Sequence, residues 1–289
     1  MSFLLRLLLL CLAAVSLNAA DSESPVELSS TAGLRSGTLL REKREVRVQE
    51  GKARMEPSNP DSGFSCRFMQ KVNLVRRLLG SDSEEVQVRE MVCELVNYSG
   101  VPPPPSEQAA PLVGKTLRMR KTGGSWKATL TEGKASAEEQ KFMADLAFTR
   151  LLLEIPEACL LNQTRKAGEA WKVGINESAG KAYGAVVARD IECTLVSMNE
   201  QPGGPLATVH LAGSFSMQRP MGYLSEIEVT FDATLVRRLS DMLDLDTRIS
   251  GQLKLVGIVK DKAGKPVRLI QEMPYTLTRS MAPERKQAP

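Results

Sequence analysis

The sequence predicts a mainly β protein: an antiparallel curved sheet or half-open β-barrel with one covering α-helix. Three observations carry this. From Ile249 to Val259 the odd positions read Ile, Gly, Leu, Leu, Gly, Val, and beyond the turn Asp261–Gly264 the apolar set continues at Val267, Leu269, Met273, Tyr275 and Leu277. The same period of two runs through Ala207, Val209, Leu211 and Phe215, and through Ile227, Val229, Phe231, Ala233 and Leu235. Four such strands in succession imply an antiparallel sheet with one face buried and one wet. A single segment breaks the pattern: Ser136 and Glu139 make a capping box, and Phe142, Met143, Leu146 and Leu153 line one helical side before Pro156.

Taken in order, residues 1–20 (MSFLLRLLLLCLAAVSLNAA) have the layout of a cleaved secretory signal: a start carrying Arg6, an apolar run from Leu7 to Val15, and small Ala19 and Ala20 before Asp21. The apolar run is short for a bilayer span, and no later segment is apolar enough to cross one. The mature chain is therefore expected to be exported, periplasmic or extracellular, without a transmembrane segment. Residues 21–100 form an N-terminal β segment or subdomain with an unstructured start. Its strand signals are Arg41–Gln49, the set Phe64, Cys66, Phe68, and the set Met91, Cys93, Leu95. Residues 101–111, VPPPPSEQAAP, form a Pro-rich connector. Residues 112–283 are the main antiparallel β domain. It opens with weaker strands at Lys115–Arg120 and Trp126–Thr131, carries the helix near 136–155, and continues through Ile191, Cys193 and Leu195. Residues 284–289, rich in charge and Pro, are expected to be a disordered tail. Alternation alone does not decide whether 21–100 is a separate subdomain or one lobe of a single sheet.

Composition removes several function classes. Without residues 1–20 the chain carries 37 basic and 34 acidic residues, interspersed, so no concentrated basic face argues for nucleic acid. Aromatic residues make up 4%, which leaves few rings for stacking sugars or bases. His210 is the sole histidine, on the polar face of LATVHLAG, and no Gly-x-Ser-x-Gly accompanies it, so no catalytic residue is assigned. AAPLVGKT (109–116) has Ala where a phosphate loop needs its first glycine. DMLDLD (241–246) lacks the central glycine and terminal Glu of a calcium loop and reads as a solvated turn. No metal site and no cofactor is expected. Asn97, Asn162 and Asn176 begin glycosylation triplets.

Four cysteines follow the signal: Cys66, Cys93, Cys159 and Cys193. They allow two disulfides in three pairings, or four buried thiols, and no Cys-x-x-Cys supports zinc or redox catalysis. The two tryptophans lie in GGSWKATL (from Gly123) and GEAWKVGI (from Gly168), each a Gly-rich turn launching a Trp-led strand.

A helix ending at Pro156, then KAGEAWKV (166–173), then long alternating strands with ISGQLKL (249–255), resembles uncharacterised exported bacterial β-sheet proteins, themselves distantly similar to the periplasmic lipoprotein-carrier fold. The resemblance covers roughly residues 115–280. It implies a half-open barrel wrapping an apolar cavity beside a helix. Trp171, Phe142, Leu146 and Phe215 are the candidate ligand-binding wall. The expected function is thus an exported non-enzymatic protein that holds an apolar or lipid ligand. The alternative is a structural or protein-interaction component of the cell envelope with a filled β core. The partner is an apolar ligand in the first case and an envelope protein in the second, and the sequence does not set the oligomeric state.

Overall fold

The computed structural model describes residues 24–28, 36–56, 64–101, 103–122, 125–174, 186–217, 224–260 and 264–284. The signal segment, the start of the N-terminal region, the turn at 261–263, Asn176 and the end of the tail lie outside these residues.

The described chain is an antiparallel sheet of twelve strands with one helix against it, and a separate two-stranded sheet. A first meander comprises β2 (Leu39–Glu56), β3 (Phe64–Gly80), β4 (Ser83–Tyr98), β6 (Thr116–Thr122) and β7 (Ser125–Leu130), with the short β5 (Gln108–Ala109) on β4. A second comprises β9 (Ala170–Val173), β10 (Val186–Asn199), β11 (Leu206–Met217), β12 (Leu224–Arg238), β13 (Leu243–Lys260) and β14 (Pro266–Pro283). β14 joins the meanders by pairing with β2, with Leu277 opposite Val46. Residues 21–100 and 112–283 thus share one hydrogen-bonded sheet. Two residues of the Pro-rich stretch join it as β5, and Ala110 is buried just beyond. β1 (Val26–Glu27) pairs separately with β8 (Thr164–Arg165).

The helix α1 (Ala137–Ala158) begins as its sequence requires. The Ser136 hydroxyl accepts from the Glu139 amide, and the Glu139 carboxylate accepts from the Ser136 amide. It continues two residues beyond the predicted stop, with Pro156 buried inside the last turn, where its missing N–H costs the ladder one bond. Cys159 caps the end, its amide reaching the Ile155 and Pro156 carbonyls.

The sheet curls around this helix. The N-terminal half of α1 (Met143, Leu146, Ala147) packs with Val72, Leu74, Val86, Val88, Leu117, Met119 and Trp126 from β3, β4, β6 and β7. Its C-terminal half (Leu151, Leu152, Leu153, Ile155) packs with Trp171, Leu195, Val209, Leu235 and Leu277 from the opposite half of the sheet. Period-two strands bury one face each, and the curl brings those faces onto the helix. The sheet remains open: its path ends at β7 on one side and β9 on the other.

Candidate functional site

The concave side of the sheet holds α1 and a line of buried charges. Arg44 and Arg76 both pair with Glu42, at 3.5 and 2.7 Å. Arg76 also holds Glu84. Arg150 of α1 stands between Glu84 (3.9 Å) and Glu157 (3.2 Å). Arg279 links Glu157 (2.5 Å) to Asp244 (3.5 Å), and Arg237 closes the line on Asp244 at 2.6 Å. Five arginines thus alternate with four carboxylates from β2, β3, β4 and α1 through β14 and β13 to β12. Arg237 also donates to the Leu28 carbonyl, tying down the residue after β1, and Arg279 donates to the Thr247 hydroxyl.

Buried charges persist only where they are paired, and here each answers the next. Burial alone would raise the Glu42 carboxyl, but Arg76, Arg44, Arg279 and Arg150 together outweigh it and hold it down at about 2. Burial acts on Glu157 in the same way, and Arg150 and Arg279 hold it far below the ordinary carboxylate range. Arg44, at the end of the line with Glu42 as its ion-pair partner, is pushed by burial down to about 10. The line also separates the apolar groups on either half of α1, and a third small group (Leu40, Leu243, Met281) lies beyond it.

The four candidate wall residues do not form one wall. Trp171 and Phe215 belong to the cluster on the C-terminal half of α1, whereas Leu146, with half-buried Phe142 against it, belongs to the cluster on the N-terminal half. Trp126 and Trp171 lie on the two terminal strands, β7 and β9. Each carries an arginine over its ring at 5.2 Å, Arg150 and Arg165 respectively. Trp126 Nε1 donates to Glu154 Oε2 at 2.8 Å, which fastens β7 to α1. Trp171 has no matching hydrogen bond, its Nε1 being buried without a partner among the described residues, and it packs instead in the cluster on the C-terminal half of α1.

Sequence reasoning read DMLDLD as a solvated turn, and for Asp244 this is corrected. Asp244 is 4% exposed because the Arg237 fork draws it inward, with bonds of 2.6 and 2.9 Å. Asp241 and Asp246 pair with Arg238 and Arg248. Among the described residues no group of three His, Cys, Asp or Glu side chains is placed to hold a metal. His210 faces outward beside Asp232 at 3.0 Å, and Lys115 of the phosphate-loop-like stretch pairs with Glu139 of α1. No helix of the described residues is long and apolar enough to cross a membrane.

Cys66 lies over Gly51, where a Cβ would come within 2.3 Å of its sulfur, so a bare backbone is what lets that thiol pack. The Cys93 thiol is pushed up to about 11 by burial.

On the outer face, a groove of about 650 Å³ crosses five strands and is lined by Lys43, Glu45, Lys71, Glu90 and Arg248 among others. Its charges are mixed. The margin at β6–β7 differs. Arg120 and Lys127 stand directly opposite each other, both exposed, with no carboxylate paired to either among the described residues. Arg118, two residues along, is matched by Glu85 at 3.2 Å.

No protein-family model and no curated protein sequence matches the chain. Among solved structures it is similar to one describing lipid–protein interactions in lipovitellin, with a TM-score of 0.39 and 11% identity over 88% of this chain and 26% of that one. It is also similar to an outer membrane channel from Pseudomonas putida F1, with a TM-score of 0.23 and 6% identity over 86% of this chain and 97% of that one. The chain spans about a quarter of the lipovitellin chain's length. At these scores neither likeness carries a conclusion about activity or ligand.

Proposed function

We propose that this chain is an exported, non-enzymatic interaction protein whose sheet margin at β7 receives an acidic, extended segment of another envelope protein. The observation that carries the reading is the Arg120–Lys127 pair, which faces across β6 and the terminal strand β7. Like charges directly opposite each other across a ladder repel, and an added strand bearing carboxylates at that register would relieve the repulsion while pairing with the open edge. The same charges disfavour pairing with a second basic edge, so the margin selects against its own copy. The charge line supports this reading, since it sets buried ionic groups beside α1, where a carrier would keep apolar surface.

The test is site-specific photo-crosslinking from Thr129 in the full chain, with adducts sequenced by mass spectrometry. Acidic segments of one envelope protein are expected. In the Arg120→Glu, Lys127→Glu variant the adduct should fall at least tenfold, while Tm stays within about 2 °C because both side chains are exposed. An adduct that survives the double charge reversal, or one made of the chain's own second copy, overturns the proposal. The export component is checked on the same material, whose mature N-terminus should be Asp21.

One observation favours an apolar ligand instead. Leu95 is 70% exposed, although its cross-strand partner Phe68 packs against the inner cluster, as does half-buried Phe148 of α1. This apolar rim is where a lipid chain would enter. Native mass spectrometry separates the two readings: stoichiometric lipid on the purified chain supports the ligand, and the bare mass supports the interaction protein.

A further inference from the structure

The line of buried charges does not balance. Its arginines are Arg44, Arg76, Arg150, Arg237 and Arg279, and its carboxylates are Glu42, Glu84, Glu157 and Asp244: five positive against four negative, a net of +1. Glu154, bonded to Trp126, does not change the sum, because Lys121 pairs with it at 2.7 Å.

The excess lies at Arg44. On the buried face of β2 it stands between Glu42 and Val46, with Val72 opposite it on β3 and Arg279 opposite it on β14. Its ion pair with Glu42 is 3.5 Å long, and Glu42 gives a closer contact, 2.7 Å, to Arg76. The Arg44 side chain is 2% exposed, and its Nε has no hydrogen-bond partner among the described residues. Arg279 is deficient in the same place: its terminal nitrogens reach Glu157 and Thr247, but its Nε is also buried and unpartnered among the described residues. Like charges directly opposite each other across a ladder repel, and salt screens that repulsion little inside a fold. Burial pushes Arg44 down to about 10 and Arg76, Arg279 and Arg150 add to the push, yet it stays charged at pH 7.

We infer that Arg44 and Arg279 together bind one small monovalent anion of the halide class inside the curled sheet. One negative charge cancels an excess of one, whereas a divalent anion overshoots it. Both unpartnered groups are N–H donors, which suits an anion and excludes a cation. The walls set the size: Val46 and Val72 beside Arg44 are buried and apolar, so the further oxygens of a phosphate or sulfate would be desolvated without donors. The bound ion relieves the repulsion between β2 and β14, the two strands that join the meanders. The inference is independent of the proposed docking at β7.

The experiment uses the full chain at pH 7 in sodium gluconate, titrated at constant ionic strength with chloride, bromide or acetate. Because only the folded chain brings the two guanidinium groups together, Tm should rise saturably with either halide, by roughly 5–10 °C at a hundredfold excess over Kd. Chloride NMR on the same sample should show a broadened resonance that sharpens as bromide competes. Arg44→Met removes the excess charge, and its Tm should no longer depend on which anion is present. No saturable response to either halide overturns the inference, as does an undiminished response in Arg44→Met. A saturable response to acetate alone also overturns it, and would assign the site to the carboxylate of an organic ligand. The NMR titration is made on the natural chain, so it decides the matter even if the variant fails to fold.

Discussion

Gly251→Ala is expected to destabilise the fold by about 3–5 kcal/mol, among the largest effects of any single methyl group in the chain. A Cβ at this position would lie 1.9 Å from the Thr230 carbonyl oxygen and 2.9 Å from the Phe231 Cα, both backbone atoms of β12. A side chain can rotate away from such a clash, but a strand hydrogen-bonded on both sides cannot. Gly251 stands between Phe231 and Tyr275 in the register, and both are buried. Separating β12 from β13 there would open the cluster that covers the C-terminal half of α1. Gly80→Ala is the control, because nothing lies within 4 Å of a Cβ at that position. Urea unfolding of the two variants should show the large loss at 251 and a change within about 0.5 kcal/mol at 80. A small loss at both would mean that β12 and β13 can separate locally.

Arg279→Met is expected to cost a similar amount, about 3–5 kcal/mol, because it breaks a buried ion line at one member and leaves the others in place. The Arg279 side chain is fully buried and touches Glu157, Asp244 and Thr247. Its loss leaves Glu157 with Arg150 and Asp244 with Arg237 as partners, each carboxylate short of the donors that compensated its burial. Thermal and urea unfolding at pH 7 measure the effect, and a loss below about 1 kcal/mol would show that the line is not enclosed.

The same line sets the response to acid. Glu42 is held at about 2 in the fold against an ordinary value of 4.5. Its contribution to stability is therefore complete above pH 4.5 and is lost as pH falls from there through about 2. Glu157, held down by Arg150 and Arg279, acts in the same direction. Unfolding followed by circular dichroism should show a stability plateau above about pH 5 and a decline confined to lower pH. A decline beginning near neutrality would contradict the pairing.

Much of the sheet was legible because each strand needs only its own period of two. Ala207 to Phe215 and Ile227 to Leu235 bury the residues that the alternation selects, as do Ile249, Leu253, Leu269, Met273, Tyr275 and Leu277. Near the β13–β14 turn the pattern slips: Leu255, Val259 and Val267 are half-buried, and Val256 and Ile270, off the alternation, are buried. The charge line was missed although its signal was present. Arg237 follows Ile227, Val229, Phe231, Ala233 and Leu235 in the same register, and Arg279 follows Met273, Tyr275 and Leu277. Likewise Glu42 and Arg44 fall between Leu40, Val46 and Val48 on the buried positions of β2. A charge that continues an apolar register points inward, but one strand does not reveal whether it ends in solvent or meets a partner.

What the sequence determined by itself is local: the alternating strands, the capped helix start at Ser136, and the two Trp-led segments. Those depend on neighbours within a few residues, where backbone geometry sets which side chains share a face. The tertiary structure alone decided that β14 pairs with β2 and that both tryptophans lie on the margins. It also decided that nine charges from seven elements pair in one line beside α1. These are contacts between segments tens to hundreds of residues apart. They arise only when the sheet curls around α1, and no local pattern encodes which distant partner a buried charge will meet.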